Sequence, residues 1–160
     1  MRAAPRGILH RLVAGAVMAI AAVTANAEEA RMGFFSVSLP VIAILHDDLF
    51  VGEAIGYLDR TGTIELRSVR DEKDKCTGRF HYIGLRIGIA EMRCDDGIEA
   101  KLAFNALGAF SGYGGGTTPK GPASFTFGLG PEEAAAHLTL PQGKKLVLSK
   151  EGLALVSDRP

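Results

Sequence analysis

The chain has 160 residues, with 18 lysines and arginines against 18 aspartates and glutamates, 20 glycines, two cysteines and no tryptophan. The formal net charge is zero over the whole chain and −3 over residues 28–160 (15 basic against 18 acidic), and mild acidity without a basic stripe argues against nucleic-acid binding by phosphate neutralisation. The length leaves room for one domain with a modest core.

The first eleven residues carry Arg2, Arg6 and Arg11 and no acid, and Leu12 to Ala25 is uncharged and ends in Ala25-Asn26-Ala27. A basic n-region, an apolar h-region and an A-x-A site, in that order, read as a cleavable secretory signal over residues 1–27. The apolar run is shorter than the roughly twenty residues of a bilayer-spanning helix, and no later segment reaches that length, so no membrane span is expected after cleavage. The first cysteine is Cys76, so a lipid anchor at the cleavage site is not expected either. A mitochondrial presequence would spread its arginines along an amphipathic helix instead of gathering them before an apolar run. The remaining domain, residues 28–160, holds 15 basic and 18 acidic residues, and the periplasm is its expected location.

Phe34 to Leu39 runs up to Pro40, and Val41 to Leu45 is wholly apolar before His46-Asp47-Asp48. Residues 34–45 are therefore expected as two buried core strands or as a segment contacting a partner. No metal site is expected at His46, Asp47 and Asp48, because neighbours on a strand point to opposite faces and no second ligand set accompanies them. Phe50 to Leu58 and Thr63 to Val69 flank Asp59-Arg60-Thr61-Gly62 and read as strands, with Gly56, Leu58, Ile64 and Leu66 on one face. Arg70 to Lys75 is a charged run and reads as a solvated loop.

The segment from Cys76 to Phe104 allows its strand register to be deduced. If Cys76 to Ile83 turns through Gly84-Leu85-Arg86 and returns as Ile87 to Cys94, then Cys76 faces Cys94. Gly78 with Met92, Phe80 with Ala90 and Tyr82 with Gly88 share that surface, while Thr77 with Arg93 and Arg79 with Glu91 occupy the other. A three-residue loop, Asp95-Asp96-Gly97, then sets Arg93 against Glu99 and Glu91 against Lys101. Ala100, Leu102 and Phe104 join the apolar surface, with Phe104 over Gly88. A slip of one residue would put these groups on the wrong faces. Opposed cysteines in an exported protein predict a structural disulfide, closing a loop of about seventeen residues and worth on the order of 3 kcal/mol. A redox pair would more usually be C-x-x-C. Lys101, Glu91 and Arg79 read as a solvated sheet face, and His81, beside Ile89, as an exposed histidine on it.

Gly112 to Pro122 is the most glycine-rich stretch. It is expected as a surface loop and not as a regular strand, and it lacks the spacing and following helix of a phosphate-binding loop. Ser111, Gly112, Tyr113, Gly114, Gly115 and Gly116 are the candidate binding residues, since exposed backbone and the Tyr113 ring would offer hydrogen bonds and a stacking surface together. Ser124 to Gly128 alternates like a strand. Pro131 to Leu138 is the one predicted helix, with proline first, Glu132 and Glu133 in the first turn, and His137 as a helix-end charge rather than a base. Lys145 to Ser149 and Leu153 to Ser157 read as a last hairpin.

The run from Gly52 through Tyr57 to Gly62, the Cys76 and Cys94-Asp95-Asp96-Gly97 frame, Gly112-Tyr113-Gly114, and Ser124 to Leu129 with Pro131 to Ala134 together resemble small exported proteobacterial proteins of unassigned activity. The likeness spans about residues 52–147 and implies a bacterial envelope setting; it carries over no catalytic residue and no cofactor. G-x-S-x-G, H-E-x-x-H and C-x-x-C do not occur. No catalytic, metal or cofactor residues are therefore assigned.

The expected fold is an antiparallel β-barrel or sandwich of about seven to nine strands with one short helix. The favoured function is a non-enzymatic binding or envelope-structural module that meets an envelope protein or cell-wall material. One version is a barrel inhibitor similar in size and architecture to periplasmic lysozyme inhibitors, with Ser111-Gly112-Tyr113 entering the enzyme's cleft. The alternative is a small hydrolase or isomerase with a dispersed site, which requires a concave pocket joining acids or a histidine.

Overall fold

The register deduced for residues 76–104 is the one the chain adopts. Cys76 pairs with Cys94, Tyr82 with Gly88, Arg93 with Glu99 and Gly88 with Phe104. The computed structural model describes residues 36–158; the secretory signal expected over residues 1–27 lies outside the described residues, as do Phe34 and Phe35. Eight antiparallel strands follow one another around a closed barrel: β1 (Ser36–Leu45), β2 (Asp48–Tyr57), β3 (Thr61–Ser68), β4 (Lys75–Tyr82), β5 (Ile87–Cys94), β6 (Glu99–Ala106), β7 (Gly112–Thr118) and β8 (Gly121–Phe127). Closure comes from β1 pairing with β2 on one side and β8 on the other, which leaves the sheet no open edge. A short helix, α1 (Pro131–Ala135), and a hairpin of β9 (Lys144–Ser149) and β10 (Gly152–Ser157) complete the described chain. No helix among the described residues is long and apolar enough to cross a membrane.

Strand alternation explains the barrel core. In β6, Ala100, Leu102, Phe104 and Ala106 are buried, while Glu99, Lys101, Ala103 and Asn105 between them are exposed. In β1 the alternation is lost, because Val41 to Leu45 is buried on both faces. Val41, Ala43 and Leu45 face the barrel core, and Ile42 and Ile44 join a second core outside it with Leu49, Leu129, Ala134 and Leu138. Leu146, Leu153 and Leu155 of the last hairpin pack on that outer core. The described part of residues 34–45 is thus one strand and not two, and its apolar run is core. Pro40 sits one residue before the stretch paired with β8, where its missing N–H breaks none of those bonds and its carbonyl accepts from Gly128 N–H at 2.8 Å.

The expectation of a surface loop over Gly112–Pro122 is corrected: the stretch is β7, a turn and the start of β8. Glycine is normally depleted in strands for want of a side chain to pack. Here aromatic rings from neighbouring strands fill the space. A Cβ on Gly112 would stand 2.4 Å from the Phe127 ring, and one on Gly114 would stand 2.8 Å from the Phe125 ring. Leu58, expected on the apolar face, instead lies beyond the end of β2 and is 75% exposed.

Cys76 and Cys94 are joined across β4 and β5, with sulfurs 1.94 Å apart. Around them the lower half of the barrel is solid, and Leu45, Leu66, Cys76 and Leu102 are almost wholly inaccessible.

Candidate ligand-binding cavity

The upper half of the barrel is hollow. Side chains can fill an eight-stranded barrel or leave space for one small ligand, depending on their size. Towards the open end β2 and β5 present small residues inward, Ala54, Gly56, Gly88 and Ala90, and a cavity of about 770 Å³ results. That volume falls within the ~300–1,000 Å³ typical of small-molecule sites. Val37, Leu39, Val41 and Ile64 form its aliphatic wall. The rest of the wall is aromatic, built around Phe104, whose ring meets Tyr82, Phe127, Phe80 and Phe125 edge to face at centroid distances of 5.0, 5.7, 6.0 and 6.4 Å.

Three connections form the mouth: residues 58–60, 83–86 and 107–111. Leu58, Leu85, Leu107 and Phe110 line the entrance while remaining exposed, Leu85 at 90%. With Ile83 and Ile87 they make six of the eight large apolar side chains that the described surface leaves exposed. An apolar patch of this kind, continuous with a cavity, marks a place where apolar matter enters or docks.

The charged groups at the mouth are Arg60, Arg86 and Asp59. Arg60, at φ 68°, closes the turn after β2 and donates from Nη2 to the carbonyls of Gly84 and Leu85, the latter at 3.0 Å. Its guanidinium lies 4.8 Å from the Tyr82 ring centroid, a cation–π distance. Arg86 in turn donates from Nε to Ala106 O at 2.7 Å and from Nη2 to Leu107 O at 2.8 Å. The two arginines therefore link all three connections. Among the described residues neither forms an ion pair. Asp59 accepts from the Thr61 hydroxyl at 2.7 Å and from Thr61 N–H at 3.0 Å, and these bonds, the hydroxyl first, hold its carboxyl below the usual aspartate value. Burial raises the Tyr82 hydroxyl above the usual tyrosine value, against the opposing field of Arg60. Among the described residues no histidine or carboxylate lines the cavity.

The candidate binding residues of the sequence reading lie elsewhere. Ser111 ends the connection before β7, Gly112 is buried, and Gly112 to Gly116 run in the barrel wall, so these glycines and Tyr113 form no projecting loop. The Tyr113 ring is stacked on His137 at 4.4 Å and 17° between planes, so that surface is already covered. Ser111-Gly112-Tyr113 thus has no projecting tip to place in an enzyme's cleft. Arg60, Tyr82 and Arg86 were not singled out. The signal available for them was a turn, Gly84-Leu85-Arg86, that carries a large apolar residue where turns are usually polar.

At the other end a small pocket of about 160 Å³ brings His46, Asp48, Asp74 and Asp96 near Arg70, Lys75 and Lys120. Its carboxylates serve the turns around it. Asp48 accepts from the Ser68 hydroxyl at 2.7 Å and Leu49 N–H at 3.0 Å, and Asp96 from Lys120 at 2.9 Å and Ile98 N–H at 3.0 Å. His46 and Asp47, at φ 54° and 60°, form the two-residue turn between β1 and β2. His46 Nδ1 lies 4.0 Å from Asp96, and its Nε2 is buried without a partner. No group of three or more histidine, cysteine or acidic side chains among the described residues is placed to hold a metal ion.

Comparison with protein-family models, curated proteins and solved structures finds no match to this chain.

Proposed function

We propose that the chain is an exported, non-enzymatic binding protein of the bacterial envelope whose barrel holds an apolar small molecule. The observation that carries this reading is the open, apolar cavity of about 770 Å³ above a solid barrel floor. Export is supported by the signal read over residues 1–27 and by the Cys76–Cys94 disulfide, which suits an oxidising compartment. The inhibitor version of the partner reading rested on Ser111-Gly112-Tyr113 as a loop, and the place of Gly112 and Tyr113 in β7 turns attention to the cavity instead.

The hydrolase or isomerase reading needs an acid or histidine facing a concave substrate site. Among the described residues the large cavity offers neither, and in the small closed-end pocket Asp48 and Asp96 are engaged by turn N–H groups, the Ser68 hydroxyl and Lys120.

Native mass spectrometry of the protein as purified from its cell tests the proposal. A non-covalent adduct of small-molecule mass is expected on the wild type, and Gly56→Leu should carry less of it, because Gly56 faces the cavity and a side chain there takes up part of its volume. An adduct carried equally by Gly56→Leu would place the ligand elsewhere and contradict the proposal.

A further inference from the structure

We infer that the ligand is an elongated amphiphile with an anionic head, a carboxylate or phosphate, held at the mouth by Arg60 and Arg86 while its apolar chain lies in the barrel. This rests on the binding function proposed above and names the chemical class that the site takes. The chain end of the ligand meets only aliphatic and aromatic walls, with Phe104 at their centre. The head end meets two guanidinium groups.

Each arginine is fixed by neutral backbone carbonyls, which orient it without neutralising it. Arg60 uses one of its three nitrogens and Arg86 two, so donors remain on both. A planar guanidinium with spare N–H groups matches a carboxylate or phosphate oxygen pair, and such charge-assisted bonds strengthen beside an apolar, low-dielectric wall. The Tyr82 hydroxyl, without a protein hydrogen bond among the described residues, stands beside Arg60 as a further donor.

The charge of the two ends supports the same polarity. The three mouth connections contain Arg60 and Arg86 against Asp59 alone, and Asp59 is engaged by Thr61. The closed-end connections, residues 46–47, 69–74, 95–98 and 119–120, hold six acids against three bases. An anion approaching the barrel is thus favoured at the mouth and disfavoured at the floor.

The arginines also tie the mouth together, so the test must read selectivity for the head and not affinity alone. Calorimetric titration of the delipidated protein with decanoate, decyl phosphate and decanol holds the chain constant and changes the head. At least one anion is expected to bind about tenfold or more tighter than decanol, the size of a charge-assisted hydrogen bond. Arg60→Gln with Arg86→Gln should abolish that preference and leave decanol binding in place. The tighter anion identifies the source, a fatty-acid-like or a phospholipid-like molecule. Should the double variant also lose decanol because the mouth collapses, Arg60→Lys with Arg86→Lys decides, since it keeps the charge and should keep the preference. Equal binding of decanol and the anions, or a preference that survives in the glutamine variant, overturns the anionic head and leaves the apolar cavity standing. Binding of none of the three overturns the cavity reading and this inference with it.

Discussion

Phe104 lies across Gly88 on the inner face of the barrel, so close that a Cβ on Gly88 would stand 2.1 Å from ring atom Cζ. The pair shows how the barrel is filled. Glycines on one strand make room for rings on the next, and the rings then stack edge to face along the cavity wall.

Gly88→Ala is therefore expected to destabilise the fold by about 1–3 kcal/mol, the usual range for overpacking a filled core. Urea unfolding measures it. Phe104→Leu in the same chain should recover part of the loss, because the two changes share one contact. A Gly88→Ala variant as stable as the wild type would mean that the ring does not occupy this position.

Gly56 gives the opposite expectation. A Cβ there meets Val37 at 3.6 Å and Phe80 at 3.7 Å, ordinary contact distances, and beyond them lies the cavity. Gly56→Leu should leave the unfolding midpoint unchanged or raised, since it buries new apolar surface without displacing backbone. A loss comparable to that of Gly88→Ala would indicate that the space is already filled by protein.

The disulfide makes a third expectation. Replacing Cys76 and Cys94 with serine should lower stability by about 3 kcal/mol, the loop-closure value for a span of this length. Intact mass after alkylation without reductant checks the bond itself, and two modifiable thiols would contradict it.

The reach of the sequence can be judged from particular residues. Arg79 with Glu91, Arg93 with Glu99 and the cysteine pair set the register of β4 to β6 correctly, because a period of two and complementary charge leave one alignment that satisfies both faces. Gly112, Gly114 and Gly116 were misleading. A glycine strand looks like a loop until the side chains of Phe104, Phe125 and Phe127 are known to cover Gly112 and Gly114, and Leu102 to cover Gly116, and those contacts lie between paired strands, not within the local sequence. The burial of Ile42 and Ile44 likewise depends on α1 and the last hairpin, more than eighty residues later. The cavity was illegible for the same reason, since it is an absence of side chains where Ala54, Gly56 and Ala90 converge.

Acid should weaken the fold through turn carboxylates. Lys120 first and the Ile98 N–H second hold the Asp96 carboxyl below its usual value, and Thr61 does the same for Asp59. A group with a depressed folded pKa contributes stability that is full above its unfolded value and lost as pH falls through the folded one. Both sites are exposed and screened, so the loss is small. The thermal midpoint should stay level from neutrality to about pH 4 and fall below it. Asp96→Asn should make that acid limb shallower. A limb identical to that of the wild type would show that Asp96 has no such role.

The measurement that reaches the central claim most directly is methyl NMR of the labelled protein titrated with decanol. The account expects shift changes at Val37, Leu39, Val41 and Ile64, which line the cavity, and little change at Ile42, Ile44, Leu146 and Leu155 in the outer core. Changes confined to the outer core, or none at saturation, would contradict a ligand site inside the barrel.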